Sequence, residues 1–399
     1  MSYIRKLARS APIAEALASL EETAPQVEEL AVAIQQIPAP TFAEAPRAEF
    51  IHQRLLQIGL RDVACDPLNN VYARLPAVGS PIQPPVIISA HVDSVFPPDT
   101  DLTVHHNGRF IYGPGIADNA TGLAGLVHLA KVLAELKLEL PADVWFVANV
   151  GEEGLGDLRG MRAVVNRFGR EATYIVLEGG LYGQISVQAI AVQRFRIEVK
   201  APGGHSWGSF GKPSAVHELG HIIAAIDQLP VPSQPKTSFN VGVIQGGTSI
   251  NTIAHEASLL LDLRSEGTAE LDALVTRVRE IVAQANKRNK AGGRGEVHIT
   301  IQKIGDRPAG RLQAGSPLAE WAEEALRFVG CKHIIRIAGS TDANIPLSEG
   351  IPAVCIGLAE SGNAHRPDEY IDPRYLPQGM GQLLLLVLAS AGYLRESSD

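Results

Sequence analysis

Cysteine is scarce: Cys65, Cys331 and Cys355 are the only three in 399 residues. An odd number without close spacing provides no disulfide framework and favours a reducing compartment. No run approaches the ~20 apolar residues of a membrane span. Met1–Ala11 is basic but leads into no apolar core, so no secretory signal is expected and the cytoplasm is the expected location. Positive charge is also short, 35 Lys and Arg against 43 Asp and Glu for a net −8, which argues against a nucleic-acid partner. Internal repeats and low-complexity tracts are missing. No Gly-Lys-Ser/Thr follows the Gly113-x-Gly115 pair, so that turn is not a phosphate loop. What remains, 45% hydrophobic and 20% charged, is ordinary globular composition. The length exceeds the ~250–300 residues at which one core stops growing, so two domains are expected.

The chemistry collects at the ends of apolar runs. Ile87-Ile88-Ser89-Ala90 ends in His91-Val92-Asp93, and Gly113-Pro114-Gly115-Ile116-Ala117-Asp118 follows. The run Asp143–Val150 ends in Gly151-Glu152-Glu153, Tyr174–Leu177 in Glu178, and Ala353–Leu358 leads into a loop carrying His365. Buried strands that deliver His, Asp and Glu at their C-terminal ends describe one mouth lined with oxygen and nitrogen ligands, because that end is where ligands sit in open α/β sheets. Such ligands suit Zn²⁺, Co²⁺ or Mn²⁺. Period-two geometry puts His91 and Asp93 on one face, where the acid can fix the ring. A core His–Asp pair and an ordinary N-cap aspartate are the plainer alternative for this stretch alone.

Along the chain, helices are expected at 13–36, 44–58 and 121–137, with strands near 62–75, 85–92, 143–150 and 174–178. From 194 the pattern becomes a half-wet alternation: strand, helix 213–229, strands 239–245 and 256–264, helix 268–288, strand 295–303. That βαββαβ order is ferredoxin-like and reads as an inserted domain, 188–304, between catalytic segments 1–187 and 305–399. A helix at 316–329, strands near 333–338 and 352–358, and a helix at 374–393 complete the second segment.

The ordered set His91-x-Asp93, Gly113-x-Gly115-x-x-Asp118, Glu152-Glu153, Glu178, Gly203-Gly204-His205-Ser206, Gly246-Gly247-x-x-x-Asn251 and His365 spans roughly 30–390. It resembles the co-catalytic metallopeptidase family of glutamate carboxypeptidase, peptidase T, acetylornithine deacetylase and succinyl-diaminopimelate desuccinylase. Asn119-Ala120 departs from the Asp-Lys that many members carry after the bridging aspartate. The resemblance implies a mixed-sheet α/β zinc-exopeptidase domain with an inserted lid and dimerisation domain. It also implies two divalent metals, Zn²⁺ or else Co²⁺ or Mn²⁺, and a small peptide or N-acyl amino acid as substrate. Within it Asp118 bridges the metals, His91 and Glu178 complete one, and Glu153 and His365 the other. Asp93 orients His91, and Glu152 is the general base. His205 reaches the partner subunit's site and steadies the oxyanion, and Asn251 and Arg264 bind substrate; an Asp262 ion pair is the rival role for Arg264.

Two other readings stay open. His217-Glu218-Leu219-Gly220-His221 matches the single-zinc H-E-x-x-H motif, with Asp227 as third ligand. Against it, Val216, Leu219, Ile223 and Ile226 make an apolar stripe that explains this helix as a packing element. The chain could also be a non-catalytic dimeric metal-binding protein, but a base at Glu152 beside intact ligands favours an enzyme.

Overall fold

A computed structural model describes residues 2–291 and 297–395, which divide into two compact units, 1–189 with 310–399 and 190–309. The first carries a mixed sheet in the order Arg61–Cys65, Val71–Leu75, Val144–Asn149, Val86–His91, Thr173–Glu178, Ala353–Gly357, Gln184–Ala189, Gly310–Arg311, with Ile335–Gly339 also paired to Gln184–Ala189. Its four middle strands, Val144–Asn149, Val86–His91, Thr173–Glu178 and Ala353–Gly357, are mutually parallel. Parallel strands are covered on both faces, which is why they read as unbroken apolar runs. All six residues of Val86–His91 are buried: Val86, Ile88 and Ala90 join one apolar cluster and Ile87 another.

Helices Ala11–Gln35, Gly122–Leu136 and Leu376–Ser390 supply the larger cluster. The last is apolar almost all round because it lies inside the unit, against helices Tyr3–Ala8, Ala11–Gln35, Gly122–Leu136 and Leu318–Phe328. A second sheet of four short strands, His105–Asn107, Phe110–Tyr112, Glu360–Gly362 and Tyr370–Asp372, was not expected. Nor was helix Arg159–Phe168, whose apolar side packs under the main sheet.

The second unit holds a four-stranded antiparallel sheet, ordered Thr237–Gly246, Glu256–Ser265, Ala191–Lys200, His298–Arg307, with helices Ala215–Asp227 and Thr268–Ala291 against it, and a two-stranded ribbon of Gly204–His205 with Thr252–Ile253. The two central strands are third and first in sequence, the ferredoxin-like order. The expected strand 295–303 begins outside the described residues and continues to Arg307. The divisions fall after 189 and 309 rather than 187 and 304. Gln184–Ala189 pairs with Ala353–Gly357 in the first sheet, and His298–Arg307 stays paired with Ala191–Lys200 past residue 304.

One close approach fixes the C-terminal helix: a Cβ on Gly379 would lie 2.0 Å from the Leu358 carbonyl oxygen, at the end of Ala353–Gly357. Gly379→Ala is expected to destabilise the protein by about 1–3 kcal/mol through overpacking, read as a lowered melting temperature. An unchanged melting temperature would contradict this packing.

Candidate metal centre

The parallel strands all deliver their C-terminal ends to one place. His91 is the last residue of its strand, Glu178 the last of the next, and Glu152-Glu153 follow Val144–Asn149 after a turn at Gly151. His365 arrives on the loop between Glu360–Gly362 and Tyr370–Asp372 with φ of 65°, a left-handed conformation uncommon outside glycine and often found at functional sites.

Asp118 stands between the two histidines. His91 Nε2 lies 2.9 Å from Asp118 Oδ1, and His365 Nε2 lies 3.0 Å from Asp118 Oδ2. His91 Nε2 is also 3.7 Å from Glu178 Oε2, and His365 Nε2 is 3.2 Å from Glu153 Oε1. Two trios therefore share one carboxylate: His91, Asp118, Glu178 and His365, Asp118, Glu153. Among the described residues, His91, Asp118 and Glu153 form the group of three metal-ligand types whose atoms fall within 4.8 Å of one another.

The donor set fits cations. His91 Nε2 and Asp118 Oδ1 are buried and make no hydrogen bond despite their closeness. Ligand atoms at the corners of a tetrahedron of ~2.0–2.1 Å bonds lie roughly 3.3 Å apart, the same range as these contacts. Buried carboxylates at this density are costly without a positive charge among them.

Electrostatics point the same way. Burial opposes protonation of His91, but Asp118, Asp93 and Glu178 hold it charged, well above its usual range. Hydrogen bonds to Asp118 and Glu153 raise His365 to about 10. Burial, helped by the charges of Asp118 and Asp342, lifts Glu178 to about 7. Burial and Asp118 likewise push Glu153 up. Asp118 itself is lowered, because the two histidines outweigh its burial.

Asp93 does its work differently from the expectation. The His91 Nδ1 contact is with the Asp93 main-chain carbonyl, at 3.0 Å, while the carboxylate is 3.7 Å away. That carboxylate instead accepts the amides of Glu152 and Glu153, at 3.0 and 2.9 Å, and the Thr41 hydroxyl at 2.8 Å. A single residue thus aims His91 and holds the turn that carries both glutamates.

Several residues at this centre were not foreseen. Glu369 is buried and accepts the amides of Gly115, Ala117 and Asp118 at 3.3, 2.8 and 2.8 Å, tying the Asp118 turn to the His365 loop. Burial and the Asp118 charge raise it to about 7. Asn119 donates to the Leu177 carbonyl and accepts the Gly179 amide, bracketing Glu178 with an amide that a carboxylate could not replace. Asn149 donates to buried Asp342 at 2.6 Å. The only sequence signals were Asp342 just after an expected strand and Glu369 four residues past His365.

In the second unit His205 is exposed, and its Nδ1 accepts the amides of Trp207 and Gly208 at 3.2 and 3.3 Å, which leaves Nε2 as the proton-bearing nitrogen. The Asn251 main-chain carbonyl accepts the Ser206 amide at 3.0 Å, placing Asn251 beside His205. Arg264 does form the Asp262 ion pair, at 2.6 Å. It pairs with Val192, eight positions along the strand from the Glu256–Lys200 end, or roughly 27 Å at ~3.3 Å per residue. On helix Ala215–Asp227, His217, His221 and Asp227 are exposed, whereas Glu218 is buried against Arg288 and Asn289 at 3.3 and 3.1 Å. The glutamate that the zincin reading needs beside its zinc is a packing residue.

The His365 shift makes a pH prediction. With its folded pKa raised from 6.5 to about 10, the charged ring competes with any cation at pH 7, and the competition fades as pH rises through 10. Zn²⁺ binding by the metal-free protein should therefore release protons at pH 7, seen by calorimetry as heats that vary with buffer ionisation enthalpy, and should tighten between pH 6.5 and 9. Buffer-independent heats would contradict it.

The model of peptidase family M20/M25/M40 matches residues 87–389. The uncharacterized protein YqjE of Bacillus subtilis strain 168 is 26% identical over 280 residues, 68% of this chain and 72% of its own. The dipeptidase Dug1p of Saccharomyces cerevisiae shares the fold at a TM-score of 0.77 and 13% identity, covering 95% of this chain and 98% of its own. YXEP of Bacillus subtilis, a dinuclear metal-binding peptidase, does so at 0.63 and 18%, covering 92% and 98%. With three quarters of its length matched and its strand ends converging on His91, Asp118 and His365, the chain belongs to peptidase family M20/M25/M40.

Proposed function

We propose that the chain is a dinuclear metal-dependent exopeptidase that cleaves the amide bond of small peptides. The carrying observation is the Asp118 carboxylate, whose two oxygens face two different histidines at 2.9 and 3.0 Å. The dinuclear peptidase YXEP and the dipeptidase Dug1p, which share the fold, support the metal count and the substrate class. His91, Asp118 and Glu178 would hold one cation and His365, Asp118 and Glu153 the other. Zn²⁺ suits this nitrogen and oxygen set, with Co²⁺ and Mn²⁺ as alternates. Two such cations supply an acidified water and a polarised carbonyl.

The remaining work falls to the chain. Glu152 is buried on the turn held by Asp93 and cannot share its neighbour's ligand position, because adjacent side chains diverge. It takes the proton of the attacking water at its carboxylate and delivers it to the leaving nitrogen. His205 donates from Nε2 to the oxygen on which negative charge develops. Asn251 and Arg264 bind the substrate's carbonyl and carboxylate groups.

Arg264 lies on Glu256–Ser265 of the four-stranded sheet, opposite Val192, whereas His205 pairs with Thr252 in a separate two-stranded ribbon. We propose a two-fold homodimer in which His205 serves the partner's site. The outermost strand Thr237–Gly246 exposes Val243 and Ile244, the open edge that such pairing covers.

A panel of di- and tripeptides and N-acyl amino acids with added Zn²⁺, Co²⁺ or Mn²⁺ tests the activity. Glu152→Gln should keep bound metal yet lower kcat by about 10²–10⁴-fold, whereas Glu153→Gln should weaken metal binding. Identical behaviour of the two variants would refute this division of roles. Co-expressing a Glu152→Gln chain with a His205→Ala chain should restore activity that neither homodimer has, since one site of the mixed dimer combines intact Glu152 with intact His205. Exchanging dimers that remain inactive would place His205 outside the reaction of a partner chain.

A further inference from the structure

The loop that follows Pro40 touches the metal centre and then turns outward. Thr41 donates to Asp93 Oδ2 at 2.8 Å, its hydroxyl also lies 3.4 Å from the Glu153 carbonyl, and Ser94 N–H donates to the Ala39 carbonyl at 2.9 Å. The next residue, Phe42, has φ of 76° and is 65% exposed. A bulky side chain in the left-handed region is a genuine outlier, and an exposed phenyl ring gains nothing from burial in return.

The ring is nevertheless supported. The Arg159 guanidinium sits 4.6 Å from its centroid and is itself held by buried Glu44 at 2.5 Å. A Cβ on Gly151 would lie 2.0 Å from Arg159 Nη1, so the guanidinium occupies space that only glycine leaves free, immediately before Glu152. The result is a backed aromatic plate at the rim of the Glu152–Glu153 turn. Leu155, two residues after Glu153, and Val95, two after Asp93, are exposed at 47% and 38%. Each of the three neighbouring loops that carry Thr41, Asp93 and Glu153 thus exposes one apolar side chain beside a centre otherwise made of charge.

We propose that Phe42 is the wall of a subsite for an apolar or aromatic side chain on the residue adjoining the scissile amide. The inference rests on the reading of the site as a peptidase centre. An aromatic face also attracts cations, but Arg159 already stacks on this ring and its charge repels a second one. Phe42 is therefore a specificity residue, and it need not touch the reacting atoms.

The test compares wild type with Phe42→Gly on dipeptides bearing phenylalanine or leucine, glycine, or lysine at either position. Glycine adopts a φ of 76° without strain, so the variant removes the ring and leaves the fold at least as stable, which the melting temperature checks. The expected result is a kcat/KM for phenylalanine- and leucine-bearing substrates lowered about tenfold or more, with glycine-only substrates changed less than about twofold. Unchanged selectivity, an equal loss on every substrate, or a loss confined to lysine-bearing substrates overturns the proposal while leaving the peptidase reading intact. Wild type that hydrolyses no amide in the panel overturns both.

Discussion

The two-sided exposure of one carboxylate, Asp118, between His91 and His365 is the interaction on which the first unit depends. Each histidine contributes its Nε2, and each has a second carboxylate of its own. Asp118, Glu153, Glu178 and Glu369 all lie in this small region, and burial pushes the last three towards protonation. A polypeptide that stabilises only itself gains little by gathering buried carboxylates, since each ionised one must be paired or shed its charge. Positive charge placed between them turns the same arrangement from a cost into a binding site, and the histidines already take that part by holding protons well above their usual range.

Precision at Asp118 comes from a ring of main-chain contacts. Glu369 gathers three amides of the Asp118 turn, Asn119 fastens that turn around Glu178, and Asp93 collects the amides of Glu152 and Glu153. Arg47, buried among the carbonyls of Gln35, Ile37 and Val92, anchors the strand end that carries His91 and Asp93. The Glu369 bonds join segments more than 250 residues apart in sequence. The parallel strands bring those segments together, and the apolar helix Leu376–Ser390 packs the layer behind them.

This division explains what could be read from the sequence. His91, Glu152, Glu153 and Glu178 were legible because each ends an apolar run, and a buried strand that stops on a charged residue has few other uses. The ferredoxin-like order was legible from alternation at Arg194–Lys200 and the spacing of its helices. Glu369 was not, since nothing in Asp368-Glu369-Tyr370 tells that the chain there meets three amides of residues 115–118. Gln184–Ala189 was hidden for a related reason: it is a short, partly polar strand whose place is set by its neighbours. The Asp93 carboxylate is assigned to the His91 ring by proximity in sequence, whereas the amides that follow the neighbouring strand offer it better geometry. Phe42 carried no periodic or motif signal, and only its backbone angle and its support by Arg159 single it out.

If Asp118 is a ligand shared by two cations, metal stoichiometry reveals it. Elemental analysis of protein reconstituted with Zn²⁺ and freed of excess should give two equivalents per chain, and Asp118→Ala should lose more metal than a change at any other single ligand. A reproducible ratio of one, unaffected by the loss of either His91 or His365, would contradict the account.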